Sequence, residues 1–202
     1  MVFKQTVYSV LVVSASASFN ASLKALLPVT DYWPVSVEGS VAAARRRLLE
    51  RDYDLVLINA PLPDDFGIKL AIDVCDSTDA AVAIFVKNEL YDEVIGRVTG
   101  RGVLTVARPT TRQTISQHLL AMQAVRERMR TQAERITSLE DKVGQMRIVN
   151  RAKWLLIEAQ GMTEEAAHHC IEKRAMDERI SKGEAAQRII REYTGSEKGA
   201  EG

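Results

Sequence analysis

The chain has 202 residues, of which 46% are hydrophobic and 27% charged, and its 27 lysines and arginines balance its 27 aspartates and glutamates. No apolar run approaches the roughly 20 residues of a membrane-spanning helix, and the N-terminal apolar stretch lacks the features of a signal peptide. Two distant cysteines, Cys75 and Cys170, indicate unpaired thiols in a reducing compartment. We therefore expect a cytoplasmic protein without membrane contact, metal or other cofactor.

The first 110 residues alternate short apolar runs with helix-like segments. Five runs have strand length: 8–16, 33–37, 54–59, 80–86 and 102–106. Their Val, Leu and Ile content is typical of strands covered on both faces. The alternation predicts an α/β domain with a doubly wound, five-stranded parallel sheet, the flavodoxin-like class.

A long segment without proline follows, from Thr111 to about Gln160, and Gly144 is its only glycine. Apolar side chains recur in four successive heptads, with Gln132 as a polar exception that could fix register. A helix of ~50 residues would be about 75 Å long, too long to pack wholly on one small domain. We therefore predict a coiled-coil helix over 111–146 that forms a homodimer, and a single helix docked on its own domain is the alternative. The predicted dimerisation residues are Met122, Val125, Met129, Gln132, Ile136, Leu139, Val143 and Met146.

The last part of the chain predicts an all-α bundle of three helices over 147–193. Gly161 is placed to end the first helix, and Thr163 is placed to cap the second. Ser181 and Glu184 form a capping-box pattern at the start of the third helix. We expect the tail, 194–202, to be disordered.

Over about residues 8–121 the chain resembles the receiver domain of response regulators. In that family the strand ends carry an acid pair for Mg²⁺, a phosphoacceptor aspartate, a Ser or Thr, and a Lys-Pro pair. The positions that match here hold Ser14, Ala15, Asn59, Val86 and Arg108. An asparagine amide is a poor nucleophile, and without the acids the site has no oxygen cluster for Mg²⁺.

The resemblance therefore implies a pseudo-receiver over 1–110 that keeps the fold without phosphotransfer. Asp64 and Asp65 remain in the nearby turn, where a carboxylate pair is more typical of a solvated cap than of a metal site. Control is then expected from a sensor protein or another partner. Receivers commonly use the face of helix 4, strand 5 and helix 5 for such contacts, here Glu89–Val98, Gly102–Val106 and the start of the long helix.

Residues 147–193 resemble the ANTAR module, a three-helix RNA-binding domain of transcription antiterminators. The matching positions are Ala152-Lys153, Gly161, Thr163-Glu164-Glu165, Ala167-His168, Lys173, Ala175-Met176, Ala186 and Ile189-Ile190. The order of receiver, coiled coil and ANTAR resembles the antiterminators of amidase and ethanolamine operons. The resemblance implies a dimer that binds paired stem-loops in leader mRNA and prevents a terminator hairpin from forming.

Cationic helix surfaces can grip phosphates while small and stacking side chains contact unpaired bases. The candidate RNA contacts are Arg151, Lys153, His168, Lys173, Arg174, Arg179, Lys182 and Arg188. For each of them a solvated helix charge is the alternative, although Lys153 and Lys173 match the family's basic positions. Trp154 is either a stacking residue or part of the core.

Two other functions stay open. A DNA-binding response regulator is disfavoured because the C-terminal helices lack a winged strand pair and an evident tight turn before a recognition helix, so we expect no duplex-DNA partner. A protein-interaction hub without nucleic acid remains compatible with the zero net charge. We do not expect an enzyme, because the sequence offers no acid–base pair, nucleophile triad or phosphate loop.

Overall fold

The computed structural model describes residues 6–196 of the chain. Its contacts divide it into two compact units, an N-terminal unit up to Gln132 and a C-terminal unit from Ala133 onward. Among the described residues no helix combines the length and the apolar character that crossing a membrane requires.

The N-terminal unit is built on the predicted five-stranded sheet, in which every neighbouring pair of strands is parallel. The strand order β2-β1-β3-β4-β5 is that of the flavodoxin-like folds. This confirms the predicted fold class. The strands are β1 (Tyr8–Val13), β2 (Tyr32–Glu38), β3 (Leu55–Asn59), β4 (Ala81–Lys87) and β5 (Leu104–Arg108).

Helices connect the strands and continue into the C-terminal unit. In chain order they are α1 (Ala17–Lys24), α2 (Val41–Glu50), α3 (Ile68–Ser77), α4 (Tyr91–Val98), α5 (Arg112–Gln160), α6 (Glu164–Glu178) and α7 (Lys182–Ser196). Helix α7 thus extends into the predicted disordered tail, because the apolar stripe that includes Ile190 and Tyr193 still packs on the core of its unit. The rest of that tail, 197–202, lies outside the described residues.

The sheet is covered on both faces, as the near-continuous apolar strands predict. One core lies against α2, α3 and α4, and the other lies against α1 and the first part of α5. Ile115, Leu119 and Met122 form the stripe of α5 that packs on the sheet. The prediction that Met122 belongs to a dimer seam is therefore wrong. Its side chain is fully buried in its own unit, since the heptad spacing also suits a helix that docks on a sheet.

Polar contacts hold the first part of α5 on the sheet. Arg126 donates from Nε to Asp54 Oδ1 at 2.9 Å, and Gln123 donates to the Tyr32 hydroxyl at 2.8 Å. Burial alone would raise the pKa of Asp54, but hydrogen bonds from Ser9 and Arg126 outweigh it and hold this pKa below its usual range. The carboxylate is thus charged and paired at neutral pH.

The C-terminal unit has a core made largely of small residues, which lets its helices approach closely. The fully or nearly buried members are Ala152, Leu156, Ala167, Ile171, Ala175, Ala185, Ala186 and Ile189. The predicted helix ends are confirmed: Thr163 accepts from the Ala166 amide at 3.2 Å, and Gly161 adopts a left-handed φ of +63°. Ser181 and Glu184 form the reciprocal capping box at the start of α7.

Candidate functional site

At the carboxyl ends of β1 and β3 the structure brings two neutral polar side chains together. Asn59 donates from Nδ2 to the Ser14 hydroxyl at 3.0 Å, and both residues are buried, with 5% and 2% of their surface exposed. The Ser14 hydroxyl also accepts from the Ser16 amide at 3.1 Å, whereas the neighbouring Ala15 is exposed. This part of the site therefore holds neither a carboxylate nor an ionised nucleophile.

The other two predicted members of this site also lack phosphotransfer chemistry. Val86 is fully buried in the core between the sheet and α2 to α4. Arg108 donates from Nη2 to the Ala60 carbonyl oxygen, next to Asn59, and burial lowers the pKa of its guanidinium. No group of three or more His, Cys, Asp or Glu that could hold a metal ion is found among residues 6–196.

The two carboxylates in the turn after β3 accept hydrogen bonds from backbone amides. Asp64 accepts from the amides of Val41 and Ala42, both at 2.9 Å, at the N-terminus of α2. These two hydrogen bonds lower the pKa of Asp64. Asp65 accepts from the Gly67 amide at 2.7 Å. Both carboxylates are thus used as caps of backbone groups, which is the interpretation that the sequence favoured.

The predicted dimerisation residues differ in exposure. Met122 is in the core, and Met129 is half-buried. Val125 and Gln132 are exposed, and the four apolar residues farther along α5 have about half or more of their surface open to solvent. These four, the exposed stripe, are Ile136, Leu139, Val143 and Met146.

Five of the predicted RNA contacts take part in ion pairs within the C-terminal unit. Arg174 binds Glu178 through Nε at 2.9 Å and Glu192 through both terminal nitrogens, which raises the pKa of the guanidinium. His168 lies 3.3 Å from a Glu172 oxygen and is charged only when protonated. The remaining pairs are Lys153 with Glu164 at 2.9 Å, Lys182 with Glu172 at 2.5 Å and Arg188 with Glu178 at 2.5 Å.

The other three predicted contacts, Arg151, Lys173 and Arg179, are exposed. None of them forms an ion pair with another residue of the described part of the chain. Arg179 ends α6 in a left-handed conformation with φ of +55°. These three cations can therefore meet a phosphate without first breaking an internal ion pair.

Trp154 lies on the surface of this unit, with 70% of its surface exposed. With Asn150, Lys153, Ile157 and Glu164 it lines an open cavity of about 350 Å³. The core alternative for Trp154 is thus wrong: Leu156 and Ala152 turn to the core instead. The sequence does not predict this cavity, because its existence depends on how the start of α6 faces α5.

Comparisons with known proteins match the two units of the chain separately. Residues 137–190 match the family model described as the ANTAR domain. No curated protein matches the chain by sequence.

Among solved structures, a signal receiver domain of an HD domain-containing protein from Pseudomonas fluorescens Pf-5 is 20% identical, with a TM-score of 0.55, covering 67% of this chain and 97% of that one. A response regulator receiver domain from Clostridium thermocellum is 20% identical, with a TM-score of 0.53, covering 62% and 98%. A structure titled adenylate cyclase from Rhodopirellula baltica is 14% identical, with a TM-score of 0.59, covering 65% and 98%. At these identities the likeness shows the fold of the N-terminal unit, which is the receiver fold.

Proposed function

We propose that this protein is an RNA-binding transcription antiterminator. The chain carries an ANTAR domain after a unit with the receiver fold, which is the combination found in ANTAR response regulators. It binds paired stem-loops in leader mRNA through α6, α7 and the end of α5. Both kinds of domain are regulatory rather than enzymatic. The observation that carries the proposal is the exposed Trp154 beside Lys153 in a helix of the ANTAR domain.

An exposed tryptophan in a helix that otherwise contributes apolar side chains to a core suits contact with bases. Sequence-specific RNA recognition targets unpaired loop bases, which stack on aromatic side chains. The cavity beside Trp154 adds amide and carboxylate groups from Asn150 and Glu164 that can bind base edges. Lys153 and the exposed Lys173 supply charge for the phosphates.

We would test this by titrating an RNA with two short stem-loops and following the fluorescence anisotropy of the RNA. Trp154→Ala is expected to weaken binding by about fivefold or more, since stacking on an aromatic side chain contributes ~1–3 kcal/mol per base. Trp33→Ala is the matched control, because Trp33 is also exposed but lies in the N-terminal unit. Equal affinities of the two variants would contradict the assignment of Trp154.

Lys173→Ala is expected to weaken binding more at low salt than at high salt. Loss of one phosphate contact reduces the slope of log affinity against log salt by about one. Lys69→Ala is the control, since Lys69 is an exposed lysine of the N-terminal unit. An unchanged slope for Lys173→Ala would remove this residue from the interface.

The proposed RNA-binding form is a dimer through the exposed stripe. Apolar side chains that are half or more exposed and recur at heptad spacing are typical of a coiled-coil seam. Two ANTAR domains on one dimer would engage two hairpins at once, with a gain in effective concentration rather than new contacts. Met122 is excluded from this seam, and Gln132 is retained in it as a polar register position.

Sedimentation equilibrium tests the seam directly. Leu139→Asp places a charge inside the proposed seam and is expected to shift the chain to the mass of a monomer. Glu140→Gln is the control, because Glu140 is the exposed neighbour of Leu139 and falls outside positions a and d. A dimeric Leu139→Asp variant would show that the chain associates through another surface.

Control of this protein is proposed to operate without phosphorylation of the receiver-fold unit. The neutral Asn59–Ser14 pair and the absence of a metal-binding cluster in the described residues support this. A sensor protein would instead dock on the face of α4, β5 and the start of α5. Treatment with acetyl phosphate and Mg²⁺ is expected to leave the chain mass and the RNA affinity unchanged, whereas a phosphorylated product would contradict this part of the proposal.

A further inference from the structure

Helix α1 is too short to cover the strands beneath it. Its eight residues span about 12 Å, whereas the seven residues of β2 span ~23 Å. On the face of β2 that α1 should cover, Val35 is only partly buried and Val37 is 51% exposed. The shortfall leaves an apolar cavity between α1 and the edge of the sheet.

This cavity has a volume of about 420 Å³. Its walls are mainly aliphatic and aromatic, including Val12, Leu23 and Leu27 from the core side and Trp33 from β2. Sites for small organic molecules typically have such walls, together with a few polar groups that fix the orientation of the ligand.

Two polar side chains line the cavity. Asn20 donates from Nδ2 to the Ser14 carbonyl oxygen at 3.3 Å. Its Oδ1 atom is buried and accepts no hydrogen bond from any described residue. Solvent does not reach this oxygen, so Asn20 forms part of the wall rather than a contact for a ligand.

The second polar group is the ammonium of Lys24, at the end of α1. Lys24 also lines the cavity, is exposed, and forms no ion pair with any of residues 6–194. A negative charge on the ligand would therefore find an available partner at the rim, while the apolar walls take the rest of the molecule.

We propose that this cavity binds a small apolar molecule that carries one negative charge. The apolar body packs between α1 and β2, and the anionic group pairs with Lys24. Asn20, in the wall of the cavity, donates to the Ser14 carbonyl oxygen, and the Ser14 hydroxyl in turn accepts from Asn59. The N-terminal unit thus has a site for a chemical signal next to the strand ends that lack phosphotransfer chemistry.

Anilinonaphthalene sulfonate is a suitable probe because it combines an aromatic body and a sulfonate. We expect it to bind the full chain saturably, with one strong site per chain. Ala21→Phe fills the cavity from an exposed position of α1 and should weaken binding by ~tenfold or more. Ala42→Phe is the matched control on α2, where the alanine is exposed and lies outside the cavity.

Phenylnaphthylamine, which has the same aromatic body and N–H but no sulfonate, isolates the role of charge. Lys24→Ala should weaken binding of the sulfonate probe and leave binding of phenylnaphthylamine unchanged, and Lys69→Ala should leave both unchanged. Because Lys24 is exposed, this variant is expected to fold even if Ala21→Phe does not.

The proposal is overturned if Ala21→Phe and Ala42→Phe bind the sulfonate probe equally well, since the probe then binds elsewhere. It is also overturned if Lys24→Ala weakens both probes to the same extent. A change of mass in sedimentation caused by Ala21→Phe but not by Ala42→Phe would identify this face as a protein interface instead.

Discussion

The strand ends of the N-terminal unit and the helices of the C-terminal unit differ in how they hold polar side chains. At the strand ends of the N-terminal unit, Asn59 and Ser14 are buried, neutral and bonded to each other. On the C-terminal helices, charged side chains lie on the surface and form exchangeable pairs such as Lys182 with Glu172. The Asn59–Ser14 pair is closed off from solvent, whereas exposed ion pairs contribute little stability and can be replaced by a ligand's charges.

The contrast indicates where each unit can act. Asn59 and Ser14 join two strand ends of the N-terminal unit, and we expect the contribution of this unit to regulation to come from its other surfaces. The C-terminal unit holds its cations on a small core of alanine, isoleucine and leucine, so its surface can change partners while its fold stays intact. The following changes test this division, from the largest expected effect to the smallest.

Ile171→Ala should separate the two units most clearly. Ile171 is 1% exposed in the core of the C-terminal unit, and such truncations cost about 2–5 kcal/mol. We expect the C-terminal helices to unfold early and RNA binding to be lost, while the N-terminal unit keeps its thermal transition in calorimetry. Met176→Ala, at a 73% exposed position of the same helix, should leave both transitions in place. A shift of both transitions by Ile171→Ala would show that the units do not unfold independently.

Asn59→Asp should place a carboxylate in a buried position at the end of β3 and destabilise the fold. A buried carboxylate with few donors costs ~1–3 kcal/mol or more, and burial should raise its folded pKa above the unfolded value of about 3.9. The loss of stability is therefore smallest below about pH 4 and grows as the pH rises toward the folded pKa. Urea unfolding at several pH values measures this. Asn88→Asp, at an exposed asparagine, is the control, and equal pH profiles for the two variants would contradict the account.

Arg126→Gln tests the contact that holds α5 on the sheet. The pKa of Asp54 is lowered in the folded chain, so its contacts stabilise the fold above the unfolded pKa and this contribution is lost as pH falls through the folded pKa. Without Arg126 we expect a loss of about 1 kcal/mol at neutral pH, because solvent screens a partly exposed pair. The variant should also lose less stability on acidification than the wild type does, as measured by urea unfolding at acid and neutral pH. An identical pH dependence of the variant and the wild type would show that the hydrogen bonds from Ser9 alone lower the pKa of Asp54.

Thr163→Ala should have the smallest effect. Thr163 caps α6 by accepting from the Ala166 amide, and loss of an exposed cap costs ~0.5 kcal/mol at the lower end of the usual range. Thr163→Ser keeps the hydroxyl and should retain the wild-type midpoint of urea unfolding for the C-terminal unit. A midpoint for Thr163→Ala equal to that of Thr163→Ser would mean that this cap contributes nothing measurable.

Local sequence patterns predicted most of the architecture. Apolar runs predicted all five strands, because strands covered on both faces consist almost entirely of apolar residues. Thr163 and Ser181 marked helix starts through their hydroxyls. The residues that occupy the positions of a receiver's phosphotransfer site could likewise be identified from the resemblance alone. The contact between Asn59 and Ser14 required the sheet, because these residues are distant in the chain.

Predictions failed where one pattern fits two environments. Heptad spacing in α5 does not distinguish a seam between chains from a stripe on the sheet, which is why Met122 was misplaced. The exposure of Trp154 could not be predicted for a similar reason, because apolar neighbours in the sequence do not specify which side of the helix faces solvent. The cavity beside α1 depends on the length of that helix relative to β2, and residue types do not reveal such a mismatch.

The most direct test of the central claim is the affinity of the wild-type chain for an RNA with two stem-loops, measured over a range of salt concentrations beside one stem-loop and duplex DNA. The account predicts that the two-stem-loop RNA binds ~10²-fold or more tightly than the single one, with an affinity that falls as salt rises. Equal affinity for duplex DNA, or no salt-dependent binding to any nucleic acid, would contradict the claim that the C-terminal unit is an RNA-binding module.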